Sequence, residues 1–123
     1  AADAQAQAEF GRLLRPLREE GVMIVASGNV VHHLGLVNWE MDDGYPWADA
    51  FDESIRDAIV SGRRDIPVNY EQVPEHRKAV PSVEHYYPLL TALGASDEAD
   101  HVHVWNEYRE LGSMSMTSYT FSR

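Results

Sequence analysis

Val22-Met-Ile-Val-Ala-Ser-Gly-Asn-Val-Val-His-His-Leu34 is the stretch whose reading decides the fold. Its first five residues form a continuous apolar run, too short for a typical helix and rich in β-branched side chains. Such a run, ended by Ser27-Gly28, reads as a strand buried on both faces. Asn29 follows as an N-cap, because its side-chain carbonyl can accept from a free backbone N–H two or three residues on. His32 then falls in the first helical turn, just past the carboxyl end of the strand. In open α/β sheets that edge is where ligands collect.

Working outward, residues 1–20 are rich in Ala, Gln, Glu, Leu and Arg and read as a helix closed by Gly21. Phe10, Leu13, Leu14 and Leu17 recur at helical spacing as one apolar stripe, and Pro16 should kink the helix or start a new turn. Helix, glycine and buried strand in succession make an α/β unit. Gly35 to Trp47 reads as a loop with Trp39, Tyr45 and Trp47, turning at Asp42-Asp43-Gly44. A second helix is expected from Ala48 to Val60, with Phe51, Ile55, Ala58 and Ile59 facing inward and Ser61-Gly62 ending it. Residues 63–80, punctuated by Pro67 and Pro74, read as loop with one short helical turn. Ser82 looks like the cap of a helix reaching Leu93 and closed by Gly94. Two alternating stretches, His101–Trp105 and Met114–Phe121, read as strands pairing antiparallel at a sheet edge. The expected architecture is α/β, a partial open sheet with flanking helices, in one domain over residues 1–123 with no internal boundary.

Composition narrows the function classes. Ten basic residues against twenty acidic ones leave a net charge of −10, a field that repels phosphate backbones and argues against nucleic-acid binding. No apolar run approaches the roughly 20 residues needed to cross a bilayer. The chain contains no cysteine, so a metal would be held by nitrogen and oxygen donors. With no signal peptide visible, the expected location is cytoplasmic. The start Ala1-Ala-Asp-Ala, without an initiator methionine, reads as a trimmed product or a piece of something longer.

His85 is the second focus. On the expected Ser82–Leu93 helix, Tyr86, Leu89, Leu90 and Leu93 form the buried stripe, and His85 lies about 90° from its centre. It occupies the third position after its cap, the same slot as His32 after Asn29. A helix N-terminus disfavours imidazolium, and a histidine held neutral there can ligate a metal or accept a proton. A shared site and separate structural roles both fit this spacing. His33 should point about 100° from His32 and serve packing or orientation. His101 and His103 share one strand face, which reads as solvent-facing although such a pair can bind metal. His76 is expected to be exposed, Asp42 and Asp43 to form a solvated turn, and Glu84 to cap its own helix end. Trp39, Tyr45 and Trp47 fit a pocket lining and core packing equally well. Ser27-Gly-Asn lacks the flanking glycines of a nucleophile elbow.

Taken together, Ser27-Gly-Asn-Val-Val-His32, Trp39, Tyr45-Pro-Trp47, Val83-Glu-His85-Tyr-Tyr-Pro-Leu-Leu and Gly112-Ser-Met-Ser-Met resemble the class III extradiol ring-cleavage dioxygenases, nearest the 4,5-DOPA dioxygenase-like branch. The resemblance runs through nearly the whole chain but covers only the C-terminal half of a typical member. His33 stands where relatives often have asparagine, and Val83 where they often have proline. The resemblance implies a non-haem metal site using Fe(II), with Zn(II) also found there. It implies that His85 is a metal ligand and that His32 is the acid/base histidine beside the metal, or a further ligand. It also implies a catechol-type substrate, dioxygen, and two more histidines supplied by an N-terminal half or a second chain. The competing expectation is a non-catalytic interaction or dimerisation module, or an inactive fragment, that keeps the fold.

Overall fold

A computed structural model describes residues 2–123. The chain runs through α1 (Ala2–Glu19), α2 (Pro46–Val60), α3 (Asp65–Val68), α4 (His76–Ala79), α5 (Tyr87–Ala95) and four strands, β1 (His101–Trp105), β2 (Arg109–Glu110), β3 (Met114–Ser115) and β4 (Ser118–Ser122). The result is a mixed α/β fold with two small antiparallel sheets and flanking helices. β1 pairs with β4, from His101 opposite Ser122 to Trp105 opposite Ser118, and β2 pairs with β3. Among the described residues no helix is long and apolar enough to cross a membrane.

α2 forms as its spacing dictates. Pro46 sits in the first turn, where its missing N–H costs nothing, and Phe51, Ile55, Ala58 and Ile59 are all buried. With Tyr86, Leu90 and Leu93 they make the centre of the core, and Val102, Tyr119 and Phe121 pack against it from the β1–β4 sheet. Residues 63–80 hold more structure than the single turn expected, namely α3, α4 and a 3-10 turn over Tyr70–Gln72. Pro67 does not break α3 because it lies in the first turn, ahead of any N–H the helix needs.

α1 differs from its apolar pattern. The helix packs on α5 through small residues: Ala4 is fully buried, and a side chain at Gly94 would run into the Ala8 carbonyl. Arg15 donates to the Gly94 carbonyl at 2.9 Å and Arg18 to the Ala95 carbonyl at 3.0 Å, so α1 supplies the donors that the free carbonyls ending α5 require. Close backbone approach wins over side-chain bulk, and the Phe10, Leu13 and Leu17 stripe is turned outward, with Leu13 76% exposed. Pro16 lies within the helix and does not end it.

The Val22–Ala26 run also departs from its reading. No strand pairs with it among the described residues, and Met23 and Val25 are 84% and 79% exposed. A groove of about 480 Å³, lined by Ala92, Ala95, Tyr119 and Phe121, opens between this run and β4. β-branched composition prepares a segment for a sheet, but only a neighbouring strand can satisfy its backbone.

Candidate functional site

Two crossings of the backbone build the site. At the first, the Asn29 N–H donates to the His85 carbonyl at 2.8 Å. Any side chain at residue 28 would overlap that carbonyl, so glycine is what lets the two segments meet. At the second, residues 29–33 lie against the Gly112–Thr117 segment. The Ser115 N–H donates to the Val31 carbonyl at 3.0 Å, and the His33 N–H to the Ser113 carbonyl at 3.1 Å. The Val31 N–H donates to Ser115 Oγ at 2.9 Å, and Ser113 Oγ donates to the His33 carbonyl at 2.7 Å. His32 sits between these anchors and bridges to Met114; its own N–H donates to the Ala79 carbonyl at 3.0 Å.

These contacts replace the helix expected after Asn29. The Asn29 side chain does not cap; its amide donates to the Ser115 carbonyl at 2.8 Å. The later helix likewise begins at Tyr87 and not at Ser82, with Pro88 in its first turn. His85 therefore stands in the turn before α5. Next to it Tyr86 is buried, its hydroxyl donating to the Pro67 carbonyl at 2.6 Å. That anchor fixes the turn and leaves His85 at the rim. Ser82 Oγ donates to Glu84 Oε1 at 2.7 Å, so neither residue caps a helix.

His32 and His85 come together as a stacked pair, ring centroids 3.5 Å apart and planes 16° from parallel. Burial holds the His32 imidazole below its ordinary pKa, and the neighbouring His85 lowers it further, against the opposing pull of Glu84. Its neutrality owes nothing to a helix N-terminus. The Glu84 carboxyl is held below its usual range chiefly by the hydrogen bond from Ser82, and Glu84 Oε1 lies 4.0 Å from His85 Nε2.

Two imidazole nitrogens suit a borderline divalent metal. Among the described residues no group of three or more His, Asp or Glu side chains could hold one alone. Near-parallel stacked rings also send their in-plane lone pairs side by side, so the two cannot both aim at one ion without rotating. The geometry leaves room for one ligating ring with a second imidazole beside it.

The other singled-out residues lie apart from this pair or serve packing. His33 turns to the Lys78 carbonyl, 2.7 Å from Nδ1. His76 is half-buried rather than exposed, its ring edge-on to Tyr70 at 6.3 Å. His101 and His103 face outward on β1. Asp42 and Asp43 lie at an exposed turn. Tyr45 and Trp47 stack at 5.9 Å and pack on the core, whereas Trp39 is exposed. Sequence reasoning missed the buried polar residues behind the site, Asp52, Ser113 and Ser115. The signals existed: an aspartate beside Phe51 on the inward stripe of α2, and small hydroxyl residues at alternate positions in Gly112-Ser-Met-Ser-Met.

Comparison with known proteins adds an independent line. Residues 1–122 match the family described as the catalytic LigB subunit of aromatic ring-opening dioxygenase. A protein named 4,5-DOPA dioxygenase extradiol from Escherichia coli (strain K12) is 43% identical over 115 residues, covering 89% of this chain and 42% of the relative. Its namesake from Beta vulgaris is 35% identical over 115 residues, covering 93% of this chain and 43% of its own length. The one from Portulaca grandiflora is 35% identical over 122 residues, covering 98% and 45%. The crystal structure of an uncharacterized protein from Escherichia coli K12 superposes with a TM-score of 0.87 at 41% identity, over 94% of this chain and 49% of that one. The chain thus spans less than half the length of these relatives.

Proposed function

Since the chain belongs to the LigB family of aromatic ring-opening dioxygenases, we propose that it supplies the C-terminal part of a metal-dependent extradiol centre. That centre opens a catechol-type ring with dioxygen. The observation that carries this reading is the stacked His32–His85 pair at the rim. His85, at the turn before α5, is the metal ligand; Fe(II) is the working ion, with Zn(II) acceptable to the same donor. His32 is the acid/base group and only secondarily a ligand. When bound, the metal would lower the pKa of the catechol oxygens and bring dioxygen beside the ring.

The chain's own part is proton handling and placement. A catechol must shed protons to bind through both oxygens. His32, kept neutral by burial, is ready to take one at its free ring nitrogen and to return it later as an acid. The backbone anchors on Val31 and His33 hold that ring in place without using its nitrogens. The remaining ligands belong to an N-terminal half or a second chain, and the unpaired Val22–Ala26 run is where a strand of that complement docks.

The test is to express the chain together with the N-terminal half of the Escherichia coli relative. Fe(II) content, and ring opening of a catechol followed by absorbance, are then measured. His85→Ala should remove bound metal. His32→Ala should keep the metal and lower turnover by about 10²–10⁴-fold, the usual worth of a general acid/base. Unchanged metal content in His85→Ala together with unchanged turnover in His32→Ala would sink the assignment.

A further inference from the structure

Asn29 ties the two histidine segments together. Its backbone N–H donates to the carbonyl of His85 itself at 2.8 Å, and its side-chain amide donates to the Ser115 carbonyl, also at 2.8 Å. Ser115 in turn holds Val31 twice. Its N–H donates to the Val31 carbonyl at 3.0 Å, and its Oγ accepts from the Val31 N–H at 2.9 Å. Val31 is the residue before His32. A run of hydrogen bonds of ordinary length therefore leads from the peptide of His85, through Asn29 and Ser115, to the segment that carries His32.

Residues 29–31 lie in neither a helix nor a strand, so no regular ladder of their own fixes their course. Packing holds Val30 and Val31, which are buried. Asn29 is only half-buried and borders a cavity of about 110 Å³ that His85, Leu89 and Thr117 also line. Close packing fixes a side chain where it leaves no space; beside a void, directed hydrogen bonds carry that task. Asparagine suits the position because its backbone donor serves one segment and its side-chain donor the other. Alanine has no side-chain donor, and an ionised aspartate only accepts.

We propose that Asn29 is a positioning residue for the histidine pair, its side-chain amide setting His32 against His85 through Ser115. Misplacing a reacting group by about 1 Å can cost about 10²-fold in rate, so a bond that sets the spacing of the two rings bears on turnover. The catalytic weight of that placement rests on the acid/base reading of His32; the placement itself does not.

Proton NMR on the full chain at neutral pH tests this, following the ring-to-ring cross-peak between His32 and His85. The Phe51–Tyr86 cross-peak marks an intact core. Asn29→Asp keeps the shape of the side chain and removes its donor; Asn29→Ala removes the arm altogether. Both should lose the histidine cross-peak and keep the core one. Ser115→Ala, which takes the acceptor from the Val31 N–H, should do the same. Thr117→Ala removes a buried hydroxyl of the same segment that bonds Asp52, and it should keep both cross-peaks. A histidine cross-peak of wild-type intensity in Asn29→Asp or in Ser115→Ala would overturn the inference. So would loss of the core cross-peak in both Asn29 variants, or loss of the histidine cross-peak in Thr117→Ala, since the segment would then serve the whole fold and not the pair. Should the histidine cross-peak vanish as expected while His32→Ala retains turnover in the reconstituted assay, the positioning stands and only the acid/base reading falls.

Discussion

The side of the molecule that carries His32 and His85 and the side that carries Val22–Ala26 are built on opposite terms. Around the histidines, backbone groups find partners within the chain: Asn29 with His85, His32 with Ala79, Val31 and His33 with Ser115 and Ser113. On the other side an apolar run pairs with no strand among the described residues, with Met23 and Val25 exposed, and the large side chains of α1, Phe10 and Leu13, also stand in the open. Large exposed apolar side chains of this kind are a mark of an interaction face. One side is finished by the chain itself, and the other is left open among the described residues.

If that contrast is right, truncating the same kind of side chain on the two sides should give very different losses. Phe51, fully buried between α2 and Tyr86, should cost about 3–5 kcal/mol when changed to alanine, from lost transfer energy and the cavity left behind. Urea denaturation of Phe51→Ala measures it. A loss under about 1 kcal/mol would mean that the core is too loosely packed to hold the rim in place.

The next effect concerns the contact that joins the sides. Arg18 grips Asp100 through two hydrogen bonds of 2.8 Å each, with the Asp100 side chain wholly buried. Removing the carboxylate in Asp100→Ala leaves Arg18 with only the Ala95 and Phe121 carbonyls. A loss of about 2 kcal/mol is expected for a charge-assisted pair. Its thermal unfolding should report α1 loosening from α5 first, read by hydrogen exchange in α1.

How far the sequence led depends on whether an element's partner lies within the chain. α2 and β1 follow their periodicities because Phe51, Ile55, Val102 and Phe121 meet their neighbours here. Val22–Ala26 has strand composition but pairs with no strand among the described residues. On α1 the apolar stripe drew attention from Ala4 and Gly94, and it is the small residues that set the helix contact. His32 and His85 were placed by equal spacing from two caps, neither of which forms. What unites them is the close pass of Gly28 under the His85 carbonyl, which no periodicity encodes. The buried carboxylate Asp52 was hidden because a charge on an inward face breaks the pattern that finds cores.

The two buried carboxylates should also respond to pH with opposite signs. The Asp100 pKa is lowered, chiefly by the hydrogen bond from Arg18. Its contribution to stability is therefore present above the ordinary carboxylate value of about 4 and lost as pH falls through its lower folded value. The Asp52 pKa is raised, chiefly by burial. Its contribution is fully present below about 4 and lost as pH rises through its higher folded value. In denaturation series at stepped pH, the deficit of Asp100→Asn relative to the parent should shrink toward acid. Asp52→Asn should gain on the parent as pH rises. Parallel curves for the two variants would mean that the two sites do not differ in the way their partners indicate.

The smallest effect belongs to the open side, and it tests the contrast from below. Leu13→Ser removes a large apolar side chain that touches little of its own fold, so stability of the chain should change by no more than about 0.5 kcal/mol. Binding of a dye that reports exposed apolar surface should fall at the same time, because Leu13 adds to the patch shared with Phe10 and Leu17. Both readings are needed. A large destabilisation would place Leu13 inside this chain's own core, and an unchanged dye signal would mean that the outward face of α1 is not part of the exposed apolar surface.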